Sequence, residues 1–317
     1  MKLWQRIMIY LARNQALKGF MQGHAAMSQL ATRFVGGKDA TQAIRTGQEL
    51  KSRGRSASFF YLGEYVEELS VIERTVAELK AIIGLLGESD LDVHVSVDPT
   101  QLGYQIDEKI CHDNVVAIAA EIGKAFRPER GSGSFMMLDM EDSGVTDATL
   151  RLYDELSATS LPVAVTLQAY LFRTEADLRK IVERRGAVRL VKGALAEGKE
   201  IAWTRRSSID DSYRKLAGVM LSAPARQNGF YPIFATHDHV LIGEIVELAG
   251  KLGWQKGEYE FEMLYGVRPE LQDQLVRGGQ RLRLYLPFGI DWWPYAVRRV
   301  GENPRNAQFL LRSVLGI

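Results

Sequence analysis

The stretch 281–306, RLRLYLPFGIDWWPYAVRRVGENPRN, contains a strand that leads directly into a helix. At its start leucine alternates with arginine or tyrosine, and this period of two is typical of a strand. Pro287 and Gly289 end the strand. Asp291 is a good N-cap, so we predict a helix from there to about Glu302, before Pro304 forbids further helix.

The predicted helix places Tyr295, Arg298, Arg299 and Glu302 on one face, because they lie three or four residues apart. Arginine offers a fixed fork of donors that matches the two oxygens of a carboxylate. A strand followed by such a helix is suited to holding a small carboxylate. The alternative is a solvated helix face with scattered charges, and these residues alone leave both interpretations open.

Outward from this unit, the same alternation of strand and helix recurs along the chain. We predict strands at Ser58–Leu62, Val93–Val97, Phe135–Met140, Val163–Ala169, Val188–Val191, Tyr231–Ala235, Tyr259–Leu264 and Arg283–Phe288. We predict helices between them at Val66–Leu86, Asp107–Phe126, Asp147–Ala158, Thr174–Arg185, Asp210–Leu221, His239–Leu252 and Pro269–Arg277.

Crossovers of this length join parallel strands, and such units in about 250 residues have the size of a closed barrel. The predicted fold class is therefore α/β, a (β/α)8 TIM barrel with N-terminal helices. An open doubly wound sheet is the rival, but no G-x-G-x-x-G follows the first strand.

Two segments are predicted, an N-terminal helical segment at 1–54 that packs on the barrel and the barrel itself at 55–317. Gly36 and Gly37 break the first segment, and Asp39 begins a new helix. The N-terminal MKLWQRIMIYLARNQ is basic and amphipathic. We interpret it as a helix that docks on the fold, with a helix on a membrane surface as the alternative.

The composition of the 317 residues, 46% apolar and 25% charged, is that of an ordinary soluble protein. A net charge of +1 provides no field that would attract nucleic acid or a membrane. The single cysteine, Cys111, excludes an internal disulfide and suits a reducing cytosol. We expect a cytoplasmic protein, with peripheral contact to the inner face of a membrane as a further possibility.

Polar residues cluster where the predicted strands end, which is where active sites lie in such barrels. Asp139 to Asp142 is a group of carboxylates, and His237 and His239 lie two residues apart. No third nitrogen or sulfur ligand accompanies them, so we predict no metal. We interpret Asp142 and Ser143 as caps of the next helix.

Two cations, Arg189 and Lys192, flank the end of the fifth predicted strand. They suit a phosphate or a ring carbonyl of a cofactor. A salt bridge with Glu197 or Asp139 is the alternative, and the residues themselves leave both open.

Taken together, several strings in this chain resemble the proline dehydrogenase family, the FAD-dependent (β/α)8 barrels found alone or within proline utilization A. The resemblance covers roughly residues 30–317, and its strings are FVGG, YLGE, TQLG, LDMEDS, VTLQAYL, RLVKGA, YPIFATHD, FEMLYGVR and YLPFGIDWWPYAVRRVGENP. It implies a distorted barrel whose eighth helix lies above the strands as a lid.

The resemblance also implies roles for residues around the substrate. Arg299 matches the arginine that clamps the substrate carboxylate. Arg298 matches the arginine that closes the site by pairing with a glutamate, here Glu64. Tyr285 and Tyr295 match tyrosines that line the substrate.

Further residues match positions around the flavin. Arg189 matches the residue near flavin N5, and Asp139 matches an aspartate beside the active site. The other flavin contacts that the resemblance implies are Gln168, Lys192, Gly193, Ala194, Thr236 and His237.

The implied reaction is oxidation of L-proline to 1-pyrroline-5-carboxylate. No side chain accepts a hydride, so FAD would take it, and the protein would hold substrate and flavin face to face. Electrons would then pass to a quinone or another acceptor.

The sequence departs from the family pattern at three positions. Asp98 stands where the family has a lysine near the substrate carboxylate, Phe60 where it has an aspartate, and Leu195 where it has a tyrosine. We expect Asp98 to face the pocket, although it could instead point away and pair with an arginine. The departures keep two alternatives open: a different cyclic imino acid or secondary amine as substrate, or a ligand-binding paralogue without turnover.

Overall fold

Eight parallel strands form a closed barrel in the computed structural model, which describes residues 33–63, 66–127, 133–159, 161–195 and 197–302. Each strand pairs with its sequence neighbours, and β1 closes the barrel against β8. The strands are β1 (Ser56–Tyr61), β2 (Val95–Val97), β3 (Met136–Leu138), β4 (Val163–Gln168), β5 (Ala187–Val191), β6 (Tyr231–Ala235), β7 (Glu260–Leu264) and β8 (Leu282–Phe288). The predicted (β/α)8 fold is confirmed.

Helices surround the strands. They are α1 (Ala40–Ser52), α2 (Leu69–Glu88), α3 (Glu108–Ala125), α4 (Thr146–Ser157), α5 (Thr174–Val182), α6 (Arg206–Met220), α7 (Ala223–Gln227), α8 (His239–Lys251), α9 (Pro269–Arg277) and α10 (Trp293–Glu302). The predicted bounds hold for β6 and α9 and shift by a few residues elsewhere. The sequence pattern did not predict α7, a short helix that begins at Ala223, with Ser222 as its N-cap and Pro224 in its first turn.

The prediction that Asp142 and Ser143 cap the next helix is wrong. Helix α4 begins at Thr146, its N-cap is Val145, and no side chain caps it. Asp142 instead accepts a hydrogen bond from the amide of Gly144 at 2.9 Å, because a turn occupies the residues before the helix. The helix after β8 begins at Trp293, two residues beyond the predicted cap at Asp291.

The alternation along β8 sorts its side chains as predicted. Leu282, Leu284 and Leu286 join the apolar core between strands and helices, whereas Arg283 and Tyr285 point into the barrel. Arg283 is fully buried. Its guanidinium lies 2.7 Å from Glu260 Oε1 and 2.7 Å from Asp92 Oδ2. These ion pairs fill the N-terminal end of the barrel, so the interior opens at the other end.

Helix α1 packs against β1 and β8 beside the barrel. The side chain of Asp39 caps it by accepting from the amide of Gln42 at 2.9 Å, as its position predicted. The amide of Gly36 donates to the carbonyl of Pro287 at 2.7 Å, and a Cβ on Gly36 would lie 2.5 Å from Leu286. The helix break predicted at Gly36 and Gly37 therefore allows the backbone to approach β8 closely. Residues 1–32 lie outside the described residues.

A search of the described helices for a segment long and apolar enough to cross a membrane found none.

Candidate active site

A cavity of approximately 730 Å³ opens at the C-terminal ends of the strands. This volume lies within the roughly 300–1,000 Å³ of small-molecule sites. Its walls come from the strand ends, the loops that follow them and α10. They include these residues singled out from the sequence: Asp98, Asp139, Gln168, Arg189, Lys192, Gly193, Ala194, Leu195, Thr236, His237, Tyr285, Tyr295, Arg298 and Arg299. Glu64 lies outside the described residues.

Arg189 lies buried in the floor of this cavity. Its guanidinium forms an ion pair with Asp139 and another, at 3.0 Å, with Glu262. Its Nε donates to the hydroxyl of Thr166 at 3.0 Å. The salt bridge with Asp139 that the sequence left as an alternative is therefore present, and Arg189 still faces the cavity.

Tyr285 stands beside this pair. Its hydroxyl donates to Asp139 at 3.0 Å, and the Arg189 guanidinium lies 5.3 Å from the centre of its ring. Phe60 stacks on the same ring with centroids 5.4 Å apart. Burial, with the charge of Asp98, raises the pKa of Tyr285 well above its usual range. The hydroxyl therefore stays protonated and acts as a donor.

Lys192 is held by two carboxylates. Its Nζ lies 2.5 Å from Asp210 and 2.9 Å from Asp238, which also caps α8. The other suggested partner of the two cations, Glu197, instead accepts from Ser143. The position of Lys192 at the cavity is thus fixed from two neighbouring helices.

Gly193 follows with a φ of +103°, a conformation that side chains rarely adopt. A Cβ at this position would lie 2.3 Å from the ring of Tyr170. The glycine therefore lets the backbone after β5 pass close to Tyr170 along the cavity wall.

Gln168 and His237 line the cavity, and each has a buried polar atom with no hydrogen-bond partner among the described residues. Gln168 donates through Nε2 to the carbonyls of Met140 and Glu141 at 3.2 and 3.1 Å. Its Oε1 is buried and has no hydrogen-bond partner among the described residues. That oxygen is an acceptor available to a ligand donor.

His237 provides the complementary donor. Burial, followed by the charges of Arg299 and Arg268, lowers the pKa of His237 to about 4, so the imidazole is neutral near pH 7. Its Nε2 accepts from the amide of Leu264 at 3.4 Å, which assigns the ring proton to Nδ1. Within the described part of the chain, Nδ1 has no hydrogen-bond partner.

Helix α10 forms the opposite wall. The buried Trp293 anchors its first turn, and Tyr295, Arg298 and Arg299 line the cavity. The guanidinium of Arg299 lies 5.1 Å from the centre of the Tyr295 ring. The helix face predicted from the spacing of Tyr295, Arg298 and Arg299 is thus the face that covers the strand ends.

The three departures from the family pattern, Phe60, Asp98 and Leu195, all line this cavity. Asp98 is 9% exposed and lies close enough to Tyr285 to raise the pKa of the tyrosine hydroxyl. The cavity thus contains an acidic and an apolar side chain where the family pattern has a lysine and an aspartate.

Several cavity residues escaped the sequence analysis. Glu262 was missed although it lies inside a predicted strand, where alternation with Phe261 and Met263 would have placed it in the interior. The cavity residue Asp238 was missed, as was Asp210, which holds Lys192 from outside the cavity wall, because acidic residues at helix starts are common. Among the described residues, no group of three or more His, Cys, Asp or Glu side chains could hold a metal ion.

Comparison with known proteins gives concordant results. The family model described as Proline dehydrogenase matches residues 43–312. Proline dehydrogenase 2 of Bacillus subtilis (strain 168) is 33% identical over 284 residues, which cover 90% of this chain and 90% of that protein. Proline dehydrogenase of Deinococcus radiodurans is 33% identical over 291 residues, 91% of each chain.

Among solved structures, proline utilization A (PutA) from Bdellovibrio bacteriovorus, inactivated by N-propargylglycine, has a similar fold. The TM-score is 0.78 at 20% identity. The match covers 94% of this chain and 38% of that one, so this chain spans a minor part of the PutA polypeptide.

Proposed function

The chain belongs to the proline dehydrogenase family, and on this premise we propose that it is an FAD-dependent oxidoreductase that converts L-proline to 1-pyrroline-5-carboxylate. Electrons would pass to a quinone or another acceptor. The observation that supports this most directly is the arrangement of two facing walls. Arg298, Arg299 and Tyr295 line the cavity from α10, and Arg189, paired with Asp139, lines it from the strands.

The residues present fit a flavin. Gln168 Oε1 is a buried acceptor and His237 Nδ1 a donor, both without a partner among the described residues. A flavin ring carries one N–H donor and several acceptors along one edge, so such a wall suits it. Arg206 and Arg268 also line the cavity and offer positive charge to a diphosphate.

When bound, FAD would supply the hydride acceptor that no side chain provides. The chain's own residues would hold the substrate. Arg299 offers a bidentate fork for its carboxylate, and its guanidinium is already ordered against the ring of Tyr295. Tyr285 and Tyr295 would flank the substrate ring, and α10 would exclude water above it.

The experiment is to purify the protein, record its visible spectrum and add L-proline without oxygen. We expect a bound flavin whose absorbance bleaches with L-proline and not with D-proline. A protein that takes up no FAD contradicts the proposal. A protein that binds FAD but is bleached by no imino acid or secondary amine supports the paralogue without turnover.

A second candidate is the same flavin chemistry on another cyclic imino acid or secondary amine. Asp98, Phe60 and Leu195 favour it because all three line the cavity. A buried carboxylate in the wall disfavours a nearby carboxylate and favours a donor or a positive group. A screen of substituted prolines and larger secondary amines, read by the rate of bleaching, separates the two candidates.

We also propose that Glu64 and Arg298 form a latch over the site. Arg298 lines the cavity from α10, and Glu64 follows β1, which pairs with β8. A gate that admits substrate should be held by only a modest interaction. In a double-mutant cycle of Glu64→Ala and Arg298→Ala, we expect the effects on kcat/KM to be coupled; additive effects would argue against the latch.

A further inference from the structure

Glu262, near the middle of β7, is a buried cavity residue for which the family resemblance gave no role. It is 2% exposed. Its Oε1 accepts two hydrogen bonds, one from Nη1 of Arg189 at 3.0 Å and one from the hydroxyl of Ser58 at 2.5 Å. Its Oε2 is buried with no hydrogen-bond partner among the residues that the structure describes.

The second oxygen of Glu262 is an acceptor that a ligand donor could satisfy. Glu262 belongs to the cavity wall, and a buried acceptor without a donor is costly unless a bound group supplies one. Ser58 and Arg189 together fix the carboxylate through its other oxygen. Glu262 is therefore oriented by the barrel and still has an acceptor to offer.

The charges around Arg189 do not balance. Its guanidinium lies between two carboxylates, Asp139 and Glu262. The remaining side-chain partners of these groups are all hydroxyls, those of Thr166, Ser96, Ser58 and Tyr285. The buried ion pairs of Glu260 and Arg283 form a separate layer at the other end of the barrel. Counted as formal charges, the two carboxylates and the one guanidinium leave the floor of the cavity with one more negative than positive charge.

We propose that Glu262 is a positioning residue of the flavin site. It holds the guanidinium of Arg189, and its charge offsets the arginine. The inference rests on the proposed function, because it concerns the flavin bound there. In a cavity that excludes water, a fixed negative charge destabilises the electron-rich reduced flavin and weakens the binding of the substrate carboxylate. Glu262 therefore lowers the reduction potential of the bound flavin.

The test is the midpoint potential of the FAD-loaded protein. Glu262→Gln removes the charge and keeps a side chain of the same size with an oxygen acceptor for Ser58 and Arg189. We expect its two-electron potential to rise by about 30 mV or more, which is a tenfold change in the reduction equilibrium. The binding of a cyclic carboxylate that lacks the amine should tighten severalfold. Glu262→Asp keeps the charge and should show less than half of the rise.

A matched control is Asp177→Asn. Asp177 is also buried and pairs with an arginine, Arg173, at 2.6 Å, but it lies on α5 and is not part of the cavity wall. We expect its potential to equal that of the wild type. An equal rise in this control, or an equal rise in Glu262→Asp, would overturn the inference, since neither the site nor the charge would then matter.

Different experimental results would contradict the inference about Glu262 and the proposed function. If the glutamine variant binds FAD and keeps the wild-type potential, the role of Glu262 is wrong and the proposed function stands. If the wild type binds no FAD, the proposed function is wrong and the inference falls with it.

Discussion

The hydroxyl of Tyr285 donates a hydrogen bond of 3.0 Å to Oδ2 of Asp139, and so joins β8 to the residue that follows β3 across the barrel. The other oxygen of Asp139 accepts a hydrogen bond of 3.2 Å from the hydroxyl of Thr166 and forms an ion pair with the guanidinium of Arg189. One carboxylate thus orients both an aromatic wall of the cavity and the cation of its floor.

This relationship predicts the effect of Tyr285→Phe. The variant keeps the ring against Phe60 and loses the donor to Asp139. A hydrogen bond to a charged group contributes roughly 1.5–3 kcal/mol, so we expect kcat/KM to fall about tenfold or more while the flavin content stays the same. Because the pKa of Tyr285 is raised, its hydroxyl should add no titration step to the wild-type pH profile.

The control for this prediction is Tyr213→Phe. Tyr213 is also buried, and its hydroxyl donates to the carbonyl of Leu190 at 3.0 Å outside the cavity. It should lose stability and keep its kcat/KM. A Tyr285→Phe enzyme with unchanged kcat/KM would show that the bond to Asp139 has no part in the reaction.

A second prediction concerns the proposed carboxylate clamp. Arg299→Lys keeps the positive charge and loses both the bidentate fork and the contact of its guanidinium with the Tyr295 ring. We expect the KM for substrate to rise about 10- to 100-fold, with little change in the Kd of FAD measured by fluorescence titration. Arg179→Lys, on the exposed side of α5, is the matched change and should alter neither value. Equal losses of substrate and FAD affinity would argue that Arg299 supports the fold and does not clamp the carboxylate.

A third prediction follows from the neutral His237. Its pKa is about 4 in the folded protein, below the ordinary value of 6.5. Between these two pH values the unfolded chain binds a proton that the folded chain does not. The contribution of His237 to stability is therefore complete above pH 6.5 and falls as the pH drops towards 4, by about 3 kcal/mol.

Urea unfolding of the FAD-free protein at pH 7.5 and pH 4.5 measures this loss. We expect the free energy of unfolding to fall more for the wild type than for His237→Gln, which has no group that titrates there. His94, whose pKa burial also lowers, acts in the same sense in both proteins and cancels in the comparison. Equal losses in the two proteins would mean that His237 takes up its proton in the folded state.

A fourth prediction concerns Asp98 and Phe60. If Asp98 selects another substrate, as in the second candidate function, activity with L-proline should be poor, because Asp98 contributes negative charge to the cavity wall. The double variant Asp98→Lys, Phe60→Asp restores the ion pair of the family pattern and should raise kcat/KM for L-proline. Each single variant introduces one member of that ion pair without the other, so its kcat/KM for L-proline should rise less. If the wild type oxidises L-proline efficiently and the double variant is no better, the substitutions do not determine the substrate.

Local patterns in the sequence determined the strands and, except for the short α7, the helices of this protein. The alternation in β8 assigns leucines to the outer core and Arg283 and Tyr285 to the interior. The spacing of three and four residues assigns Tyr295, Arg298 and Arg299 to one face of α10. Such patterns are sufficient to assign a side chain to one face of an element, because they reflect the fixed periods of a strand and a helix.

The tertiary structure alone decided which charges meet. Arg189 binds Glu262, 73 residues away, and Asp139 binds Tyr285, 146 residues away. No local period relates such positions. They meet because the closed barrel sets the tilt and stagger of its strands, and with them the height of each interior side chain. The low pKa of His237 has the same origin, since its arginine neighbours are Arg268, at the start of α9, and Arg299, on α10.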